Sequence, residues 1–200
     1  MYIFVYYLVM TFNELENRIK TPVFSNFDVE KMFPQEEKLS INTQLNRFVK
    51  SGELLGLKKG LYCFSGQKVA TQVLANAIYE PSYVSLEYVL NNSGVIPDIA
   101  MNVTSVTTTK NKIFTTPAGV FLYHRVQPQL FFGFQSVKDG KSGFYYKQAY
   151  PEKALLDYIY IRKIKSLEEN RVESNELNRD LLLDYALRYP NWVRKVIKSV

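Results

Sequence analysis

Residues 36–64 read EEKLSINTQLNRFVKSGELLGLKKGLYCF, and they decide how the N-terminal part of the chain folds. Ile41, Leu45, Phe48 and Val49 recur at the spacing of one helical face. Ser40 precedes that stripe and is the expected N-cap, since its hydroxyl can satisfy a free N–H of the first turn. Ser51-Gly52 ends the helix. Two short apolar runs follow, around Lys58-Lys59-Gly60, as expected of a hairpin with a basic tip. A polar helix leading directly into such a ribbon is the pattern of a winged helix-turn-helix.

Upstream, Phe12, Leu15 and Ile19 mark a short helix over 11–20, which Thr21-Pro22 stops. A second short helix is expected from Asp28, with Val29, Met32 and Phe33 inward and Pro34 beyond its end. Residues 1–9 are apolar but too short to span a bilayer, and they lack the basic start and small-residue cleavage site of a signal peptide. Met10 is the more natural start, so residues 1–10 are expected to be an extension. The alternative is an additional strand or helical turn.

With Ile41, Leu45 and Phe48 turned inward, the opposite face of the third helix carries Asn42, Thr43, Asn46, Arg47 and Lys50. Asn can pair bidentately with adenine and Arg with guanine in the major groove of DNA. Ser40 and the free N–H groups of the helix start are expected at a phosphate. Lys58 and Lys59, at the hairpin tip, are expected on the backbone or in the minor groove. These eight residues are the candidate DNA-binding set. The competing reading is a solvated helix face beside an ordinary hairpin. The whole chain has a formal charge of +6, which is compatible with nucleic acid. Residues 10–68, however, hold nine Lys/Arg against seven Asp/Glu, a net of +2. Bulk attraction is therefore weak there, and placement of individual side chains has to carry recognition.

Ser65-Gly66-Gln67 is the expected boundary. Beyond it, helices are expected over Val69–Ile78 and from Val84 to Asn91. Strands are expected over Asn102–Thr109, Lys112–Thr116, Gly119–Val126, Leu130–Phe134 and Gly143–Lys147. The threonines of 104–109 read as β-formers on a half-exposed strand. Pro151 with Glu152 opens an apolar helix, and further helices fit Glu176–Leu187 and Asn191–Val200. The fold class expected is α+β: an N-terminal winged helix-turn-helix over 11–66, then a domain over 67–200 with a mainly antiparallel sheet and flanking helices.

Little in the chain points to catalysis. The single cysteine, Cys63, sits in an apolar run and is expected to be buried. One Cys and one His fall short of a zinc ligand set, and no metal or cofactor is expected. His124 has no partner nucleophile in a recognisable motif. Glu152, Lys153 and Asp157 are more simply explained by helix-dipole matching and solvation than by acid–base chemistry. No P-loop, GxGxxG or HExxH occurs. The chain is expected to be a non-enzyme of the cytosol, where a lone thiol stays reduced.

Several segments together resemble a known family. Ser51–Leu54 with Lys58–Tyr62 resembles its wing. Glu80–Leu90 with Gly94–Pro97 resembles its central helix pair, and Val103–Thr107 and Pro117–Phe121 resemble two of its strands. Ala149–Asp157, AYPEKALLD, resembles its late helix. In this order they look like the AbiEi-type antitoxins of type IV toxin–antitoxin systems, which are transcriptional regulators. The resemblance covers about residues 11–165. It implies repression of the chain's own operon through inverted repeats. It also implies antagonism of a nucleotidyltransferase-like toxin, AbiEii, without a lasting complex. The family's DNA-binding elements map onto Asn42, Thr43, Asn46, Arg47, Lys58 and Lys59, while no short motif carries antitoxic residues over. One rival is a winged-helix regulator with a ligand-sensing or dimerising second domain. Another is an enzyme that a winged helix positions on nucleic acid, which would need clustered carboxylates or a His pair.

Overall fold

The computed structural model describes residues 10–97 and 100–197; the expectation for residues 1–9 lies outside them. The chain is mixed α+β and divides into two compact units. The first is Met1–Lys68 with Thr116–Ala118, and the second is Val69–Thr115 with Gly119–Val200.

The first unit begins with α1 (Phe12–Arg18) and α2 (Asn26–Met32), each opened by a capping box. In α1 Thr11 caps the Glu14 N–H while the Glu14 carboxylate accepts from Thr11. Ser25 and Asp28 repeat the arrangement in α2. Such a reciprocal pair satisfies two otherwise orphaned donors and fixes where a short helix starts. The longest helix of this unit, α3, spans Lys38–Lys50. Its N-cap is Glu37, whose carbonyl accepts the first intrahelical bond from Ile41 at 3.0 Å. Ser40 is therefore the third helical residue and not the cap expected from the sequence, because the helix starts before its apolar stripe does. Ile41, Leu45 and Phe48 are buried as the periodicity predicts.

Strands β2 (Leu54–Lys58) and β3 (Leu61–Phe64) form an antiparallel hairpin with an irregularity at Leu57. A two-residue strand, β1 (Phe24–Ser25), pairs on the other side of β3. One apolar cluster joins α1, α2, α3 and this small sheet, through Leu15, Phe24, Val29, Ile41, Leu45, Leu54 and Phe64 among others. Cys63 is buried as expected, and burial pushes its thiol up to about 11.

The second unit is built on a six-stranded sheet in the order β6-β7-β5-β4-β9-β8. Its strands are β4 (Ser82–Val84), β5 (Val103–Thr107), β6 (Lys112–Thr116), β7 (Gly119–Arg125), β8 (Phe134–Lys138) and β9 (Tyr145–Ala149). The sheet is mixed. β4–β5 and β8–β9 are antiparallel, whereas β5–β7 and β4–β9 are parallel. The parallel pairs are those between strands that are not consecutive in sequence: β7 enters beside β5, and β9 beside β4.

Three local expectations also change. The helix expected from Val84 to Asn91 starts later: Ser82–Val84 forms the short buried strand β4, and α5 spans Glu87–Asn92. A strand buried on both faces shows no alternation from which it can be recognised. For the same reason β5 is fully buried where a half-exposed strand was expected. Its Thr104 and Thr107 hydroxyls donate to the Ser85 and Pro81 carbonyls. Finally, Pro128–Leu130 forms a 3-10 turn, and the next strand begins only at Phe134.

Helices α4 (Thr71–Ile78), α6 (Pro151–Arg162), α7 (Arg179–Ala186) and α8 (Asn191–Ile197) complete this unit. Asp139 organises the turn between β8 and β9. It accepts from the backbone N–H groups of Lys141 and Ser142, from the Ser142 hydroxyl, and from the Ala70 N–H at the start of α4. Among the described residues, no helix is long and apolar enough to cross a membrane.

Candidate nucleic-acid interface

The first unit carries an open groove of about 670 Å³, lined by residues from α2, α3 and the hairpin tip. Asn42 and Asn46 line it from α3, Asn26 from α2, and Lys59 and Gly60 from the tip. Each wall has a local cause. The Ser25–Asp28 capping box sets the first turn of α2, and the Ser25 hydroxyl and N–H hold the Asp28 carboxyl below its ordinary range. Gly60 has φ +73°, a left-handed conformation that glycine adopts without the usual Cβ penalty. Its carbonyl accepts from the Asn26 N–H at 3.3 Å, tying the hairpin tip to α2.

Of the residues expected to bind DNA, Thr43, Asn46, Arg47, Lys50, Lys58 and Lys59 are exposed, while Asn42 and Ser40 are half-buried. Ser40 and Lys50 do not line the groove, and neither do Thr43, Arg47 or Lys58. The helix start expected at a phosphate lies at Lys38, where Glu37 supplies no side-chain cap. Lys38 is engaged with Glu30 across the groove at 3.2 Å.

Hydrogen bonding within the protein limits what each side chain can offer a partner. The Thr43 hydroxyl donates to the Leu39 carbonyl at 2.8 Å, leaving its oxygen as an acceptor. Arg47 reaches Gln44 Oε1 at 3.4 Å through one nitrogen, and its other donors remain available. Asn42 Oδ1 accepts from Asn26 Nδ2. Asn26 was not foreseen from the sequence. It lies sixteen residues before Asn42, on another helix, so only tertiary packing brings the two amides together.

A second polar cluster, in the other unit, was read from sequence as solvated and is not. Glu152, Lys153 and Asp157 are buried, with Lys153 and Asp157 at 0% exposure. The three donors of the Lys153 ammonium go to Asp157, the Tyr83 hydroxyl at 2.8 Å and the Tyr189 hydroxyl at 2.7 Å. Asp157 also accepts from Tyr189 at 2.7 Å, Tyr83 at 3.0 Å and Ser85 at 2.8 Å. Burial lowers the Lys153 pKa and raises that of both tyrosines well above the ordinary value. Phe132, Tyr83 and Tyr189 present their rings to the ammonium at 5.1–5.4 Å. The available signal was the spacing of four between Lys153 and Asp157, which places them on one helical face.

His124 is the chain's one histidine. Its Nε2 lies 3.3 Å from Arg162, which pairs with Glu87 at 2.5 Å. Burial and the Arg162 cation lower its pKa. Among the described residues no group of three His, Cys, Asp or Glu side chains is placed to hold a metal. No family model and no curated protein matches the chain.

Proposed function

We propose that the first unit is a winged helix-turn-helix that binds duplex DNA, with α3 as its recognition helix and the β2–β3 hairpin as its wing. One observation carries this reading. The α3 face that turns away from the apolar cluster offers Thr43, Asn46 and Arg47 to solvent, and a groove joins it to the lysine-bearing hairpin tip. Arg47 has the donors to read guanine, and Asn46 has the free amide to read adenine. Lys50, Lys58 and Lys59 supply positioning charge, which fixes register without reading sequence.

On this reading the chain represses its own promoter through inverted repeats and antagonises a nucleotidyltransferase-like toxin. That second role rests on the resemblance of residues 11–165 to AbiEi-type antitoxins. The segments Glu80–Leu90 and Ala149–Asp157, which carry much of that resemblance, meet through Tyr83, Ser85, Lys153 and Asp157. Their likeness to the family is thus a likeness of a core.

Gel shifts on the chain's own upstream DNA test the first role. Sequence-specific retention is expected, and its absence removes the repressor. Co-expression with an adjacent nucleotidyltransferase-like gene tests the second, where restored growth is expected. Binding to the promoter without any rescue would favour a regulator whose second unit senses a ligand or mediates dimers.

A further inference from the structure

Leu39 is 76% exposed, the most exposed of the described large apolar side chains in the first unit. An exposed leucine alone means little; its position and its neighbour give it meaning. It is the second residue of α3. The core face of that helix is already filled by Ile41, Leu45 and Phe48, and Leu39 lies on the opposite side. From Leu39 the spacing runs by four, three and four to Thr43, Asn46 and Lys50, so these residues share one helical face. All four are exposed, and Leu39 is the apolar one among otherwise polar side chains.

The first turn of α3 has little else to offer a partner. Lys38 is paired with Glu30 at 3.2 Å, and Ser40 is half-buried. A recognition helix contacts base edges chiefly through its N-terminal residues. One turn further on, the Thr43 hydroxyl donates to the Leu39 carbonyl at 2.8 Å. With that hydroxyl held against the backbone, Thr43 has its methyl group to set beside the Leu39 side chain. In the major groove the 5-methyl of thymine is the apolar group on a base edge, and apolar side chains recognise it by contact.

We propose that Leu39 is a specificity-determining residue that reads a thymine 5-methyl group, with the Thr43 methyl beside it. The assignment rests on the DNA-binding reading above and extends it from hydrogen-bond readout to an apolar contact. It requires a thymine in the bound site at the position reached by the first turn of α3.

Uridine substitution tests it. The preferred duplex is first selected from a randomised pool by the full chain. Each thymine of that duplex is then replaced singly by deoxyuridine, which removes the methyl and keeps every hydrogen-bonding group. The wild type should lose about fourfold in affinity at one thymine, the scale of taking one methyl group out of water. Leu39→Ala should bind the thymine and uridine duplexes equally at that position and keep its discrimination at the others. Thr43→Ser, which retains the hydroxyl and lacks the methyl, should lower the discrimination in part. A flat uridine scan of the wild type overturns the assignment without recourse to any variant, and sequence-specific retention in the same experiment leaves the DNA-binding reading standing. Discrimination that persists unchanged in Leu39→Ala overturns it as well. So does a loss in Leu39→Ala that is equal for thymine and uridine duplexes while discrimination remains, because Leu39 would then touch something other than the methyl. A wild-type chain that selects no sequence at all overturns both readings.

Discussion

Lys153 and Asp157 stand one turn apart on α6, and their ion pair is wholly enclosed. A charge taken out of water is costly unless its partner and remaining hydrogen-bond capacity are both supplied. Here they are, by two tyrosines and a serine. Asp157→Ala should therefore cost about 3–5 kcal/mol, because it strands a buried ammonium. The double variant Lys153→Met/Asp157→Leu should cost less than Asp157→Ala alone, since neither charge remains. Urea melts of the three proteins check this ordering, and equal losses would mean that packing outweighs charge at this site.

Gly133 touches the same lysine from another direction. It has φ +69°, and a Cβ there would lie 3.0 Å from Lys153 Cγ and 3.1 Å from Tyr185. Gly133→Ala should lose about 1–3 kcal/mol from the backbone conformation alone. The loss should be smaller in a Lys153→Ala background, where the near contact is gone. Thermal melts of the single and double variants measure the coupling.

Asp139 gives the second unit a dependence on acid. The Ser142 hydroxyl, together with the backbone N–H groups of Lys141, Ala70 and Ser142, lowers its pKa from 3.8 to about 2. Because the folded value is the lower one, the contribution is complete above about pH 4 and is lost as pH falls towards 2. Amide exchange at Ala70, Lys141 and Ser142 should quicken across that window in the wild type. In Asp139→Asn it should be fast already at pH 6, with little further change on acidification.

On the proposed DNA-binding reading, α3 reads sequence and the hairpin tip positions the duplex. Arg47→Ala should weaken binding to the chain's own operator by about 1–3 kcal/mol and relax preference at one base pair. Lys58→Ala/Lys59→Ala should weaken all duplexes alike and flatten the dependence of affinity on salt. Titrations at two salt concentrations distinguish them. Identical behaviour of the two variants would argue against α3 as the reading element.

The sequence was most legible where one face of an element is buried. The Ile41, Leu45 and Phe48 stripe announced α3, and Thr11 and Ser25 sit at helix starts because their side chains cap them. It was least legible where burial is complete. Ser82–Val84 and Val103–Thr107 lie inside the sheet, so polarity along them does not alternate with exposure. Strand order was hidden for a different reason: β7 lies between β5 and β6, and no local pattern records an insertion. In the groove, amphipathicity marked Asn42 and Asn46 but gave no means of distinguishing them. Asn26, which meets Asn42 from α2, carried no such mark, because its proximity exists only once α2 and α3 have packed.

Cys63 has a practical consequence. With its thiol buried and pushed up to about 11, its thiolate fraction at neutral pH is on the order of one in ten thousand. A cysteine placed at Asn46 or Lys59 would then be the single fast-reacting thiol of a 200-residue chain. A fluorophore on either position could report occupancy of the groove without first removing the native cysteine from its strand.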